Sequence, residues 1–562
     1  FLKSILDNII WYLNLYIYLW IHRMILHIRN KLLFIISTFL FSFAGLFAQD
    51  KAGQIYYNVL DFGVKNNGTI KNTLAIEELI ITVAEKGGGT LYFPAGEYLT
   101  GPIHLKNNIT LYLDAGSIIK FSQDMDDYLP FVQSRWEGTE VVNFSPQIYA
   151  YKAQNIAIRG RGMIDGQGSM WWEYSRQYSR EPTKDQVKGH LNWQKKFVEN
   201  NKDTPSWDFW DNKRGEMQAP FLRPPMIQPV DCKNVLIEGV SIKNPPFWTI
   251  NPVYCENLTV QGITITNPDH SPNTDGINPD ACRYVHISNC HLSVGDDCIT
   301  IKSGRDEDGR RVGRACENIT ITNCTMLDGH GGVVIGSEMS GDVRKVTISN
   351  CVFDGTDRGI RLKSMRGRGG IVEEIRVDNI VMKNIAREAF RLNMFYHPTP
   401  DEPVSERTPR FRNIHFSNIT VSESNIAGTL LGLPEMPIEN ITFNDINIQA
   451  KEGFSVKDAY NIEFHDIQIE TDRGPAIRAE FVNSIELDGI KSLKPHKNTP
   501  IILFENVKNA FVYGSFPRFG TDTFLEIKGN DTQNIVVNGN NFSLVKQPII
   551  NEKELEEEIV IQ

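Results

Sequence analysis

The sequence predicts an all-β chain wound as a parallel β-helix. Two observations carry that prediction: a short strand phrase that returns at nearly regular intervals, and an Asn that opens most of its copies. The phrase is one residue followed by apolar–any–apolar, seen at Asn234–Ile237, Asn257–Val260, Tyr284–Ile287, Asn318–Ile321 and Lys345–Ile348. It returns at Asn413–Phe416, Asn440–Phe443 and Asn461–Phe464, with earlier copies at Asn108 and Asn155. Steps of about 21 to 34 residues are those of a solenoid coil. Each copy alternates with period two and is bounded by Gly, Asn or Asp, so it reads as a short strand. Such strands bury no face alone, and stacking successive coils gives them a continuous core. Asn at a fixed point of the coil suits a bend, because it tolerates left-handed φ and its amide can join a ladder of like amides. The helix is expected over roughly 55–545 as one domain within 49–562. An insertion at about 166–221 contains five Trp and a helical stretch at Thr183–Asn200, and residues Asn551–Glu558 read as a solvated acidic tail.

Composition narrows the class of protein. Hydrophobic content of 41%, charged content of 22% and a net charge of −10 describe a globular chain without the basic field that nucleic acid requires. Residues 1–23 read as translated upstream sequence before Met24. From Met24 a basic stretch, the apolar run Leu32–Phe47 and the small residue Ala48 form a secretory signal pattern. Residues 1–48 therefore stand outside the fold. The mature chain is expected to be exported, periplasmic or extracellular, a monomer, and without a membrane span. All eight Cys fall between Cys232 and Cys351, at matching points of the repeat. That clustering predicts stacked buried thiols rather than a disulfide framework, and the absence of CxxC pairs argues against zinc.

Between Asn273 and Lys363 the coils carry chemistry. The chain reads Asn273-Thr274-Asp275-Gly276, then Gly295-Asp296-Asp297-Cys298, then Gly329-His330-Gly331-Gly332, then Arg361-Leu362-Lys363. Asp275 and Asp296 are about one coil apart, so stacking places them side by side on one outer face. Adjacent residues of a strand face opposite ways, so Asp296 and Asp297 can share a site only at a strand end or bend, which Gly295 eases. Three crowded carboxylates raise at least one pKa. One protonated acid beside an ionised carboxylate is what glycoside hydrolysis needs. His330 is placed to orient the acid, and Arg361 and Lys363 alternate on a strand so that both can grip an anionic sugar. Each fragment alone is more often an ordinary turn or strand face. Their order on consecutive coils is what makes them a site.

The run Asn273–Lys363 resembles glycoside hydrolase family 28, the polygalacturonases and their relatives, whose four motifs Asn-Thr-Asp, Gly-Asp-Asp, Gly-His-Gly and Arg-x-Lys all occur here in order. Gly63–Ile76, Gly87–Tyr98 and Cys232–Pro252 resemble the family's earlier coils. The resemblance implies a single-stranded right-handed β-helix of the pectin-lyase-like kind that hydrolyses α-1,4-galacturonosidic linkages with inversion and without metal or cofactor. It places the general acid on Asp296 and the water-activating carboxylates on Asp275 and Asp297. His330 takes the site histidine's place, and Arg361, Lys363 and Asn273 bind a pectic polysaccharide or oligogalacturonide. The stretch Gly304–Gly313 is longer than in compact members and is expected to loop at the cleft rim.

Gly331–Val343 resembles the exo-acting branch, and the insertion's Trp residues are expected to stack on sugar and close a subsite, the alternative being that the insertion is a packing lid over the helix end. A rhamnogalacturonan-type pectin hydrolase of the same family is the alternative substrate reading. A calcium-dependent lyase and a non-catalytic binding β-helix are the rival classes, and the paired acid and base aspartates weigh against both.

Overall fold

In the computed structural model, residues 56–178, 184–213, 223–551 and 559–561 are described, with a few isolated positions before them. Residues 57–562 cluster as one compact unit. The signal segment 25–48 lies outside the described residues, as does nearly all of the acidic tail. Among the described residues no helix is long and apolar enough to cross a membrane.

The unit is a right-handed parallel β-helix whose coils pair strand on strand along the axis. Register is constant from coil to coil. Ile156 pairs with Val235, Val235 with Leu258, Leu258 with Val285, Val285 with Ile319 and Ile319 with Val346. Two residues further on, Ile158, Ile237, Val260, Ile287, Ile321 and Ile348 form a second inward column. These are the apolar positions of the repeated phrase, and they are buried. Toward the C-terminus the second column turns aromatic, with Phe443 stacked on Phe416 at 4.7 Å and on Phe464 at 4.9 Å. The helix Thr73–Glu85 packs Ile76, Leu79, Ile80 and Val83 inward beside the first coils. Coil pairing continues beyond 545, since Ile559–Ile561 pairs with Ile535–Val537.

The Asn positions do what their chemistry suggests. Asn155 donates to Asn108 at 2.8 Å, Asn234 to Asn155 at 2.8 Å and Asn257 to Asn234 at 2.7 Å. A second run links Asn461, Asn440 and Asn413, each step 3.0 Å. Asn257 has φ 59° and Asn318 φ 59°, in the left-handed region. Between them the same bend is held by Tyr284 at φ 57°, which breaks the amide ladder and leaves its ring exposed. The Cys prediction also holds: all eight thiols are free and buried. The Cys282 N–H donates to the Cys316 sulfur on the next coil at 3.3 Å.

Replacing Tyr284 by Asn should relieve the left-handed penalty, which Asn bears more easily than Tyr, and rejoin the ladder. The expected gain is about 1 kcal/mol, read as a higher denaturation midpoint in urea. An unchanged or lower midpoint would show that the bend is not strained.

Candidate active site

The strand Asp297–Ile301 begins at the second of the paired aspartates, so Gly295 and Asp296 form the bend before it. Gly295 is required there by close approach: a Cβ would lie 2.5 Å from the Ser271 carbonyl and 2.6 Å from that of Pro268. The bend turns Asp296 toward the open side, with 20% of its side chain exposed against 1% for Asp297. One coil earlier, Ile277 bridges Ile299 and the Gly276 N–H donates to the Asp297 carbonyl at 3.0 Å, which sets Asp275 beside Asp297. Oxygen atoms of Asp275, Asp296 and Asp297 lie within 4.8 Å of one another.

Each carboxylate has its own surroundings. Asp275 is buried and accepts from Asn278 at 3.0 Å and Thr300 at 3.4 Å. Burial, then the charge of Asp296, push its pKa well above the ordinary carboxylate value, and Lys302 only partly opposes them. Burial also penalises ionised Asp297, but Lys363 at 2.7 Å, Arg361 at 3.5 Å and Lys302 outweigh it and hold Asp297 below the usual range. Asp296 accepts from the Asp297 N–H at 2.9 Å and faces His330 Nδ1 at 3.1 Å. The His330 N–H donates to the Asp296 carbonyl at 2.9 Å, fixing the histidine above the acid. That side-chain hydrogen bond raises the His330 pKa against the opposing effect of burial.

Arg361 and Lys363 both face this cluster from the strand Ile360–Lys363, as their alternation predicts. Both also sit over the Tyr396 ring, at 5.7 and 5.4 Å. Asn273 lines the cleft with φ 53°, its side-chain oxygen accepting from Arg223 at 2.7 Å. Asn273, Asp275, Asp296, Asp297 and Lys363 line one cleft of about 620 Å³ including its open mouth, and His330 and Arg361 adjoin it through Asp296 and Asp297.

The cleft has walls that the motifs did not reveal. Lys302 is buried beside Trp248, 4.5 Å from the ring, and paired with Glu338 at 2.9 Å. Burial works against the Glu338 charge, yet Lys302, Arg368 and Arg305 together keep it ionised, well below its ordinary value. Lys302 directly follows the buried strand Asp297–Ile301 and Glu338 lies in the run Gly331–Val343, and these positions were the only signal in sequence. Arg305 precedes the helix Asp306–Val312, so the expected rim loop Gly304–Gly313 is mostly helical and supplies a cleft residue. Glu137 comes from the far-off hairpin Val132–Asn143.

The insertion departs from expectation. Its helices Ser169–Tyr178, Lys184–Asn201 and Trp207–Lys213 include the predicted one. Trp171, Trp172 and Trp210 are buried, and none of the five Trp lines the cleft. They pack because the insertion supports the hairpin: Asn201 exchanges hydrogen bonds of 2.8 Å with the Val142 backbone, and Trp210 packs edge-on against Trp136 at 6.4 Å. The cleft's own tryptophan is Trp248.

A β-helix with a charged cleft of crowded carboxylates and facing cations defines a carbohydrate-cleaving enzyme. Comparison with known proteins agrees. Residues 201–470 match the profile of Glycosyl hydrolases family 28, and residues 56–201 match that of Rhamnogalacturonase A/epimerase, pectate lyase-like. A "Probable polygalacturonase" of Vitis vinifera is 29% identical, over 70% of this chain and 74% of its own length. An "Exo-poly-alpha-D-galacturonosidase" of Dickeya chrysanthemi is 26% identical over 78% of this chain and 75% of that one. The solved hyperthermoactive exopolygalacturonase of Thermotoga maritima is 34% identical, with TM-score 0.65, over 74% of this chain and 91% of that chain. The chain belongs to glycoside hydrolase family 28, the polygalacturonase family, and is a glycoside hydrolase.

The His330 imidazole should titrate above its ordinary value of about 6.5. Because the shift is upward, the Asp296–His330 contact is complete below pH 6.5 and is lost as pH rises through the raised value. Asp296→Asn should bring the titration, followed by NMR of the ring protons, back down. A titration that ignores Asp296→Asn would remove the pairing.

Proposed function

We propose that this enzyme hydrolyses α-1,4-galacturonosidic linkages of pectin or pectic oligosaccharides, acting from chain ends, by acid/base catalysis with inversion. The observation that carries the reading is the Asp297 carboxylate held between Lys363 and Arg361 beside two further carboxyls. It supports one base kept ionised and one proton retained by its crowded neighbours. Lys has three donors and Arg five, so both cations can hold Asp297 and still grip a uronate carboxylate.

Asp296 is assigned the acid role because it is the carboxyl of the three that reaches the open side. Burial favours Asp275 as the holder of the shared proton. The proton belongs to the coupled cluster, and His330 beside Asp296 directs it to the leaving oxygen. Asp275 and Asp297 then take the proton of the attacking water.

Inversion draws support from the family resemblance, while the spacing favours a second reading. Oxygens within 4.8 Å are closer than the roughly 6.5–9.5 Å gap usual between an inverting pair. In the proposed mechanism two carboxylates grip the water together, instead of leaving it room between one acid and one base. The retaining alternative makes one of them the nucleophile. Proton NMR of the first product decides: β-galacturonate at early time supports inversion, and α-galacturonate overturns it.

Action from chain ends is supported by the exopolygalacturonase relatives and by the hairpin that walls the cleft at Glu137. On polygalacturonate the first product should be a mono- or disaccharide alone. A ladder of oligomers at early time would make the enzyme endo-acting, and cleavage confined to rhamnogalacturonan would favour the family's other substrate.

Asp296→Asn should lower kcat by about 10²–10⁴-fold with the circular dichroism spectrum unchanged. Near-wild-type turnover would take the acid role from Asp296. Lys363→Ala should raise KM for oligogalacturonides about tenfold. It should also move the acidic limb of the pH profile upward, because Asp297 loses the cation that keeps it ionised at low pH. An unmoved limb would count against the Asp297–Lys363 coupling.

A further inference from the structure

We propose that Glu137 and Arg305 form a recognition site for a second uronate, across the scissile bond from the sugar held by Arg361 and Lys363. The inference rests on the galacturonide reading above and names the residues that would make an acidic sugar necessary on both sides of the cleaved linkage. Glu137 and Arg305 line the same cleft as Asp275, Asp296 and Asp297.

The two are built to meet. Glu137 is at the tip of the hairpin Val132–Asn143 with φ 43°, a conformation that residues with a Cβ adopt rarely and that concentrates at functional positions. The next residue, Gly138, has no room for a side chain, because a Cβ would lie 2.9 Å from the Arg305 nitrogen and 2.9 Å from the Glu338 Cβ. The Arg305 N–H donates to the Gly138 carbonyl at 2.9 Å, and its Nη1 donates to Glu137 at 2.9 Å. The guanidinium lies 5.5 Å from the Phe209 ring, so the insertion fixes its plane from behind.

Arg305 is also the most open of these three wall cations, 20% exposed against 4% for Lys302 and 2% for Arg368. Lys302 is paired with Glu338, and Arg368 donates to Ser337 and Asp306. The Arg305 Nε is buried with Asp306 3.5 Å away, so the open part of the guanidinium lies on the Nη side. A planar guanidinium that reaches the open cleft fits a carboxylate, and the neighbouring Glu137 can accept from a ring hydroxyl of the same sugar. Along the axis, Ile301 pairs with Ile335 and Gly336 with Lys363, so Lys363 lies two coils beyond Lys302 and its neighbour Arg305. The Lys363 side chain reaches back over those coils to Asp297, and the contacts then run on across the cleft: Lys302 is shared between Asp275 and Glu338, and Gly138 packs Arg305 against Glu338.

Digalacturonate and its two mono-methyl esters test the assignment. Arg305→Gln should raise KM for digalacturonate about tenfold. The same penalty should persist on one ester and vanish on the other, whose masked carboxylate is the one Arg305 reads. Lys363→Gln should show the opposite ester preference, and Glu137→Gln should weaken both esters. An Arg305→Gln effect equal on the two esters would make Arg305 a structural residue and overturn the inference while leaving the galacturonide reading intact. Should Arg305→Gln not fold, Arg305→Lys, which keeps charge and loses the fork, is compared on the same esters and judged by the same difference. If the wild-type enzyme cleaves no digalacturonate but cleaves a substrate with a neutral sugar on that side, both readings fall.

Discussion

Everything at this site follows from the fixed distance between stacked coils. Parallel strands in register hold equivalent residues about 4.8 Å apart, and no side-chain rearrangement can change that spacing without breaking the ladder. Asp275 and Asp297 occupy neighbouring places in one column, as Ile277 bridging Ile299 requires. The backbone therefore forces two carboxylates together, and the Gly295 bend adds a third from the same coil. In a flexible loop these charges would separate. In a solenoid they stay, and the electrostatic cost is met by what surrounds them.

The same columns deliver the compensation. Lys363 follows Lys302 at two-coil spacing, with Gly336 between them, where a Cβ would strike the Lys363 carbonyl at 2.2 Å. The glycine keeps the floor low, and the lysines rise on either side of it. Lys363 and Arg361 press on Asp297, while Lys302 is shared between Glu338 and the charge of Asp275. Neighbouring carboxyls of one chemical type thus reach opposite states, one below and one above the ordinary carboxylate pKa. Pulling apart the pKa values of paired acids is the general way a fold assigns acid and base at one pH.

What could be read from sequence was whatever repeats or is local. Ile156, Val235 and Leu258 declare their column through period and spacing, and Asn155, Asn234 and Asn257 declare the bend. The motif residues were legible because register brings successive coils together, so order in the chain became adjacency in space. Glu137 was illegible for the converse reason. Its hairpin reaches the cleft from 168 residues before Arg305, and no periodicity encodes that contact. The insertion's tryptophans misled because aromatic content alone cannot separate sugar stacking from packing. Trp210 covers Trp136 and Phe197, while Trp248, on a coil just before the site, reaches the cleft.

The insertion's contribution is therefore mechanical. A two-stranded hairpin is marginal by itself in water, and the hairpin Val132–Asn143 would hold no fixed position over the cleft without backing. Asn201 pins its return strand at Val142, Trp210 donates to the Glu140 carbonyl at 2.8 Å, and Ser206 bonds Asp308 on the helix that follows Arg305. Buried Arg135, paired with Asp280 at 2.8 Å, anchors the hairpin to the coil that also carries Asp275. Two distant segments are thereby tied to the aspartate coils through independent contacts. The wall of the cleft is anchored to its floor at several points, which is the condition for a charged tip residue to discriminate between sugars instead of yielding to them.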